Sequence, residues 1–138
     1  MVTINELNDI LDIYKRIYPQ IKNVHIKMVS PGSDKMCIGK CVMDIIGDFV
    51  YVGKMRYKQV IPEYIQLEEN ERDIIFTLLH EISHAITPYF ERKVKDKWVI
   101  MDHSDKFYNN FLAVLDIGFE RKLVDKKYDL KSLRQRDK

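Results

Sequence analysis

The sequence predicts an α+β fold with an N-terminal helix, a small and mostly antiparallel sheet, and two later helices. Apolar residues recur at helical spacing over residues 4–18. Apolar alternation and apolar runs over residues 24–66 indicate strands. Helical spacing returns at residues 74–86 and again after residue 104. Because the strands are grouped together between helices, the pattern favours the α+β class.

The first helix is predicted to be amphipathic. Thr3 or Asn5 is placed to cap its first turn, and Pro19 follows its end. Its apolar positions are three or four residues apart, which puts them on one face. They are Ile4, Leu7, Ile10, Leu11, Tyr14 and Ile17.

Three strands are predicted before residue 56. Residues 24–28 alternate apolar and polar side chains, as in a strand with one buried face. Two longer apolar runs follow, at 36–46 and 49–55. The short Gly47-Asp48 junction between them favours an antiparallel hairpin. A further short strand is expected after Pro62.

Two more helices complete the predicted fold. Asn70, followed three residues later by Asp73, resembles an N-cap arrangement, and Pro88 ends the helix that follows. Apolar residues lie almost all round this helix, which indicates burial: Ile74, Ile75, Leu78, Leu79, Ile82, Ala85 and Ile86. Ser104 is placed to cap the last helix, whose apolar face carries Phe107, Phe111 and Leu115.

Length and composition are those of one ordinary globular domain. The chain has 138 residues, of which 46% are hydrophobic and 32% charged. It has no uncharged apolar run long enough to cross a bilayer and no signal-peptide pattern at its N-terminus, so we expect an intracellular protein. Cys37 and Cys41 are too far apart on one strand to bond each other, and burial as small apolar residues is favoured over a metal role.

Charge is unevenly distributed along the chain. We assign residues 1–119 to a single domain and residues 120–138 to a basic C-terminal helix or tail. The tail holds eight Lys/Arg and four Asp/Glu, whereas the whole chain has a net charge of +2. DNA contact is one interpretation of this tail, and a solvated helix or frayed end is the favoured one. For the charged segment 91–97, an exposed hairpin is favoured over a lid or a phosphate-contacting loop.

The segment HEISH at 80–84 carries the strongest functional signal. On a helix, His80 and His84 lie one turn apart on the same side, so their imidazoles can reach one cation at about 2.0–2.1 Å. Glu81 lies about 100° round the helix and is placed to reach a water on that cation. The flanking residues are uncharged, and zinc would compensate the cost of burying three polar side chains. Ordinary hydrogen bonding within a buried helix is the alternative.

A catalytic zinc site needs three protein ligands and one open position. His103 is the preferred third ligand, because it lies just before the Ser104 cap, where the backbone of a helix start holds a side chain in a defined direction. Acidic residues remain alternatives: Glu91, Glu120, Asp102 and Asp105. The fourth histidine, His25, alternates with apolar residues on a strand, and we assign it no role.

The segments HEISHAI and DHSDKFYNNF resemble the minimal zincins grouped as SprT-like, WLM and YgjP-like metallopeptidases. In those families an HExxH helix is followed by a histidine that opens a second helix in an H-x-x-x-F context, here His103 to Phe107. The resemblance covers residues 70–115 and implies a zincin-like fold. It implies that His80, His84 and His103 bind zinc and that Glu81 is the general base. In the SprT-like and WLM branches it also implies action on proteins crosslinked to DNA.

The sequence therefore predicts a zinc-dependent metallopeptidase (an HExxH endopeptidase) acting on a protein or peptide substrate. Glu81 would take a proton from the attacking water and deliver it to the leaving amine. A second oxyanion donor would assist the reaction, and the candidates are Tyr108, Tyr89 and Tyr64, for each of which core packing is the alternative. The 49–55 strand is predicted to be a sheet edge for an extended substrate. The alternative is a non-catalytic, zinc-containing module that binds nucleic acid through its basic tail.

Overall fold

A computed structural model describes residues 2–32 and 38–136 and shows an α+β fold with four α-helices and a small mixed sheet. The N-terminal half contains α1 (Ile4–Ile17), a 3₁₀ turn (Pro19–Ile21), β1 (His25–Val29), β2 (Gly39–Val52) and β3 (Met55–Glu68). The C-terminal half contains α2 (Ile74–Ala85), β4 (Tyr89–Val94), β5 (Lys97–Ile100), α3 (Asp105–Glu120) and α4 (Leu130–Arg136). The predicted α+β class is confirmed. The order of elements differs from the prediction: β2 is one strand where two were predicted, at 36–46 and 49–55, and the β4–β5 hairpin lies between α2 and α3.

The long strand β3 organises the sheet. It pairs with β2 along one side, and with β1 and β4 along the other. Only the pairing of β1 with β3 is parallel, and β5 joins β4 at the far edge. Within the described residues β2 pairs with β3 alone, so its other edge carries no strand.

The predicted hairpin turn at Gly47-Asp48 is wrong. β2 runs through this point, and the register shifts there between Ile46 and Val50. Gly47 has a φ of 78°, so it supplies the positive φ that an irregularity in the strand needs rather than a chain reversal. The reversal comes at Gly53, whose φ is 59°.

β3 is longer than the short strand expected after Pro62. Proline has no N–H to donate to a ladder and is tolerated where pairing is irregular. Pro62 pairs with Met43 directly beside a register shift in the β2–β3 ladder. The strand therefore continues through the proline at a point where the β2–β3 ladder is irregular.

The predicted caps have different outcomes. Thr3 caps α1, with Oγ1 accepting from the backbone N–H of Glu6, and Ser104 caps α3 in the same way. Asn70 does not cap α2, because the helix begins three residues later, after Asp73. Asn70 adopts a φ of 61° in the preceding turn, a conformation that asparagine tolerates better than most residues.

The charged segment 91–97 forms the exposed hairpin that was favoured. Strands β4 and β5 are joined at Lys95 and Asp96, whose φ values are 49° and 68°. Two successive positive φ values are typical of a type I′ turn, which matches the twist of a hairpin. Of the cysteines, Cys37 lies outside the described residues, and Cys41 lies on β2 as a free thiol.

The core lies between the helices and one face of the sheet. α2 contacts β2, β3 and α3, so the HEISH segment is held between the sheet and the last long helix. Leu78, Leu79 and Ile82 of α2 are fully buried. At Gly118, α3 approaches α2 so closely that an added Cβ would lie 3.0 Å from Leu79 Cδ1. None of the helices in the described ranges could span a bilayer.

Candidate metal centre

Three histidines come together at one point of the structure. His80 and His84 are on α2, and His103 directly precedes the cap of α3. One ligand nitrogen from each ring lies within 4.8 Å of the other two. Nitrogens bound tetrahedrally to one zinc at 2.0–2.1 Å would be about 3.4 Å apart, so side-chain shifts of about 1 Å would close the site. In the described part of the chain this is the one such cluster of potential ligands.

The cap of α3 determines where His103 lies. Ser104 is 2% exposed, and its Oγ accepts from the backbone N–H of Phe107 at 3.2 Å. That bond fixes the entry of the chain into the helix, one residue after His103. His103 is thereby placed 5.1 Å from His84 and 5.2 Å from His80, measured between ring centroids.

The Phe107 ring packs against all three imidazoles. Its side chain is fully buried, and its ring centroid lies 4.2 Å from His84, 4.7 Å from His103 and 5.2 Å from His80. In the sequence, Phe107 was part of an apolar helix face and the last residue of the H-x-x-x-F context that begins at His103. Its position one turn after His103 was the available signal for this supporting role, since residues i and i+4 share a helix face.

The His84 ring is in a form suited to binding a cation. Burial, together with the neighbouring His80 and His103, lowers the pKa of His84 to about 3. His84 is therefore neutral at physiological pH and keeps a nitrogen lone pair for coordination.

Glu81 is buried beside this cluster, with 4% of its surface exposed. Its Oε2 lies 2.9 Å from His80 Nδ1. Donation from Nδ1 to this carboxylate would leave the lone pair of a neutral His80 on Nε2. The carboxylate thus orients one imidazole while remaining next to the point where the three rings meet.

The acidic alternatives to His103 lie outside the cluster. Glu91 accepts from Arg56 Nε at 2.6 Å, and Asp105 pairs with Arg134 at 2.9 Å. Glu120 is exposed at the end of α3, whereas Asp102 lines the same cleft as the histidines. The structure thus brings together the preferred ligand set, with Asp102 as the nearest carboxylate alternative.

The histidines open into a cleft of about 610 Å³. One wall is β2, which contributes Cys41, Met43 and Ile45. Burial, and then the nearby Glu81, raise the pKa of Cys41 to about 12, so its thiol stays protonated at neutral pH. A second pocket of about 290 Å³ is also lined by His80 and Glu81.

Among the three tyrosine candidates, Tyr89 lines the cleft. Its hydroxyl donates to Glu91, and partial burial followed by this hydrogen bond raises its pKa to about 12. Tyr108 is buried, with its ring 5.9 Å from that of His103. Tyr64 packs against His25, 5.6 Å between ring centroids, away from the cleft residues.

Comparison of the chain with models of protein families, with curated proteins and with solved structures finds no match in any of the three. The function is therefore inferred from the geometry of the site itself.

Proposed function

We propose that the protein is a zinc-dependent metallopeptidase with a zincin-like fold, in which His80, His84 and His103 bind the metal. The observation that carries this proposal is the convergence of three imidazoles beside a buried glutamate. The donor set fits zinc, since three neutral imidazoles and an open fourth position are typical of catalytic zinc sites. A purely structural site usually fills its fourth position with protein and has no need of an adjacent base.

A zinc ion in this site would lower the pKa of a bound water and polarise a peptide carbonyl. Glu81 then accepts the proton of the attacking water and delivers it to the departing amine. Its burial next to His80 keeps the carboxylate in a fixed position for both transfers. Tyr89 is the tyrosine best placed to assist, and its hydroxyl would have to turn from Glu91 to the substrate oxygen.

The substrate would lie extended along the edge of β2. An extended peptide commonly adds a strand to an open sheet edge, where backbone hydrogen bonds hold it in register. The part of β2 beside the histidines is residues 39–45, which line the cleft. This places the proposed substrate edge nearer the N-terminal end of β2 than the predicted 49–55 segment.

The test replaces Glu81 with glutamine, which keeps the size of the side chain and removes its basicity. We expect zinc content equal to wild type and cleavage of an unfolded protein such as casein reduced at least about 100-fold. Glu120→Gln is the matched control, because Glu120 is exposed and lies outside the cluster. Cleavage by Glu81→Gln at the wild-type rate would remove the glutamate from the mechanism.

A second candidate function, nucleic-acid binding, is favoured by a surface on the sheet. There the Arg56 guanidinium lies 3.8 Å from the ring centroid of Phe49 and 4.2 Å from that of Trp98. Tyr51 is 62% exposed and contacts Trp98 edge-on, and Lys93 lies 5.9 Å from the same indole. Aromatic rings interleaved with cations are typical of surfaces that bind single-stranded nucleic acid.

This candidate predicts salt-sensitive binding of a single-stranded oligonucleotide, measured by fluorescence anisotropy. Trp98→Ala should weaken the binding about tenfold, because base stacking on one ring is worth about 1–3 kcal/mol. Lys22→Ala is the control, because Lys22 is exposed and lies outside both this surface and the basic tail. Equal binding by wild type and Trp98→Ala would exclude this surface.

A further inference from the structure

The basic C-terminal segment packs onto the domain through α4. Leu133 is 1% exposed, and Leu130 packs against the core beside it. Asp129 Oδ1 accepts from both the backbone N–H and the hydroxyl of Ser132, at 2.7 and 2.6 Å, which stabilises the first turn of this short helix. α4 is thus held in a defined position against α3.

One side chain of α4 reaches the first turn of α3. Arg134 Nη2 lies 2.9 Å from Asp105 Oδ1, and its guanidinium lies 5.1 Å from the ring centroid of Tyr108. Asp105 and Tyr108 both lie in the first turn of α3, which begins two residues after His103. Tyr108 also contacts His103, 5.9 Å between ring centroids. Arg134 therefore contacts two of the residues that surround the third histidine.

His103 depends on such support more than the other two histidines do. His80 and His84 share one buried helix, so their separation is set by helix geometry. His103 precedes α3, and its distance from them is set by how the first turn of that helix is held. A shift of about 1 Å at this turn is comparable to the adjustment that zinc coordination requires.

We propose that α4 is a clamp on the metal centre and that Arg134 is a positioning residue for His103. This inference rests on the metal site proposed above. Arg134 holds the first turn of α3 in place through its contacts with Asp105 and Tyr108. The position of this turn then determines the position of the His103 imidazole. Groups that orient metal ligands directly change metal affinity about 10–100-fold when removed. Arg134 acts one contact further away, and we expect about a fivefold effect.

The fold does not depend on this contact. The side chains of Arg134 and Asp105 are 43% and 82% exposed, and ion pairs this exposed contribute little to stability. Asp105 left alone is solvated and lies at a helix N-terminus, where a carboxylate is favourable. Arg134→Ala is therefore expected to fold normally.

Zinc affinity tests the proposal and separates it from a simple charge effect. We expect Arg134→Ala to bind zinc about fivefold more weakly than wild type, in competition with a chromophoric chelator. Loss of a positive charge would by itself favour a cation, so weaker binding opposes the electrostatic trend. Arg134→Lys keeps the charge without the planar guanidinium and should fall between the two. Lys131→Ala, on the same helix, makes the same change in charge and should match wild type.

Backbone amide exchange tests the clamp in metal-free protein. In Arg134→Ala, the backbone amides of Phe107 and Tyr108, which donate to Ser104, should exchange at least about threefold faster than in wild type, while those of α2 stay unchanged. Equal zinc affinity of Arg134→Ala and wild type, equal weakening in Lys131→Ala, or unchanged exchange at Phe107 and Tyr108 would each overturn the inference. If wild type binds no zinc, the proposed function fails, and the exchange measurement still decides whether Arg134 holds this turn.

Discussion

Replacing His103 with alanine should weaken zinc binding about 100-fold. Zinc binds four-ligand protein sites with apparent free energies of about 10–16 kcal/mol, or about 3 kcal/mol for each ligand. At 1.4 kcal/mol for each factor of ten, loss of one imidazole corresponds to about two orders of magnitude. Rearrangement of His103 on zinc binding should change this value little, because its ring already lies against Phe107 and Tyr108. Its ligand nitrogen is within 4.8 Å of those of His80 and His84.

The measurement is a competition titration against a chelating dye at constant pH and salt. His25→Ala is the matched control, since His25 lies on β1 against Tyr64 and outside the cluster. We expect wild-type affinity for that control. Unchanged affinity in His103→Ala would refute the assignment of the third ligand. It would direct attention to Asp102, which lines the cleft, rather than to Asp105, which pairs with Arg134.

Three further predictions concern stability. Saturating zinc at about 100 times its dissociation constant should stabilise the fold by about 2.7 kcal/mol, read as a rise in Tm of several degrees that a chelator reverses. Tyr14→Phe loses a buried 2.7 Å hydrogen bond to the carbonyl of Val114 and should lower the free energy of unfolding by about 1 kcal/mol in urea titrations. Burial raises the pKa of Tyr14 above its ordinary value of 10.0. The stability that its hydroxyl contributes is therefore complete below pH 10 and is lost as the pH rises further. In that alkaline range, Tyr14→Phe should lose less stability with rising pH than wild type does. Lys122→Gly should raise the free energy of unfolding by about 0.5–1 kcal/mol, because Lys122 has a φ of 61°, and an unchanged or lower value would contradict this.

Local signals explain which parts of the fold could be predicted. The caps at Thr3 and Ser104 and the helical spacing of α1, α2 and α3 are properties of short segments, and the structure has them where the sequence indicated. The β2–β3 pairing was predicted only in part, because a glycine with positive φ, such as Gly47, is compatible both with a hairpin turn and with an irregularity within a strand. Only the long-range register of β2 against β3 distinguishes the two cases.

The metal centre likewise combines a local signal with a long-range contact. The spacing of His80 and His84 is local, so helix geometry alone brings them together. That His103 meets them depends on α3 crossing α2, where Gly118 allows the close approach to Leu79. No local pattern specifies that contact, and only the position of His103 before a cap made it the preferred candidate.

The tail shows how composition can mislead. Its excess of Lys and Arg indicated a solvated helix or a frayed end. The structure has a helix there, α4, but Leu133 anchors it in the core and Arg134 contacts the start of α3. The apolar residues within this basic segment, among them Leu130 and Leu133, were the available sign of docking. They could not identify the surface on which the helix would dock.

We propose that three imidazoles bind one zinc and leave a position open for water, and the other proposals depend on this site. Zinc K-edge X-ray absorption of the purified, zinc-loaded protein reports the ligands of the metal. We expect three imidazole nitrogens at about 2.0–2.1 Å and one further light atom, with one imidazole lost in His103→Ala. A spectrum showing two imidazoles in wild type, or a sulfur ligand, would contradict it.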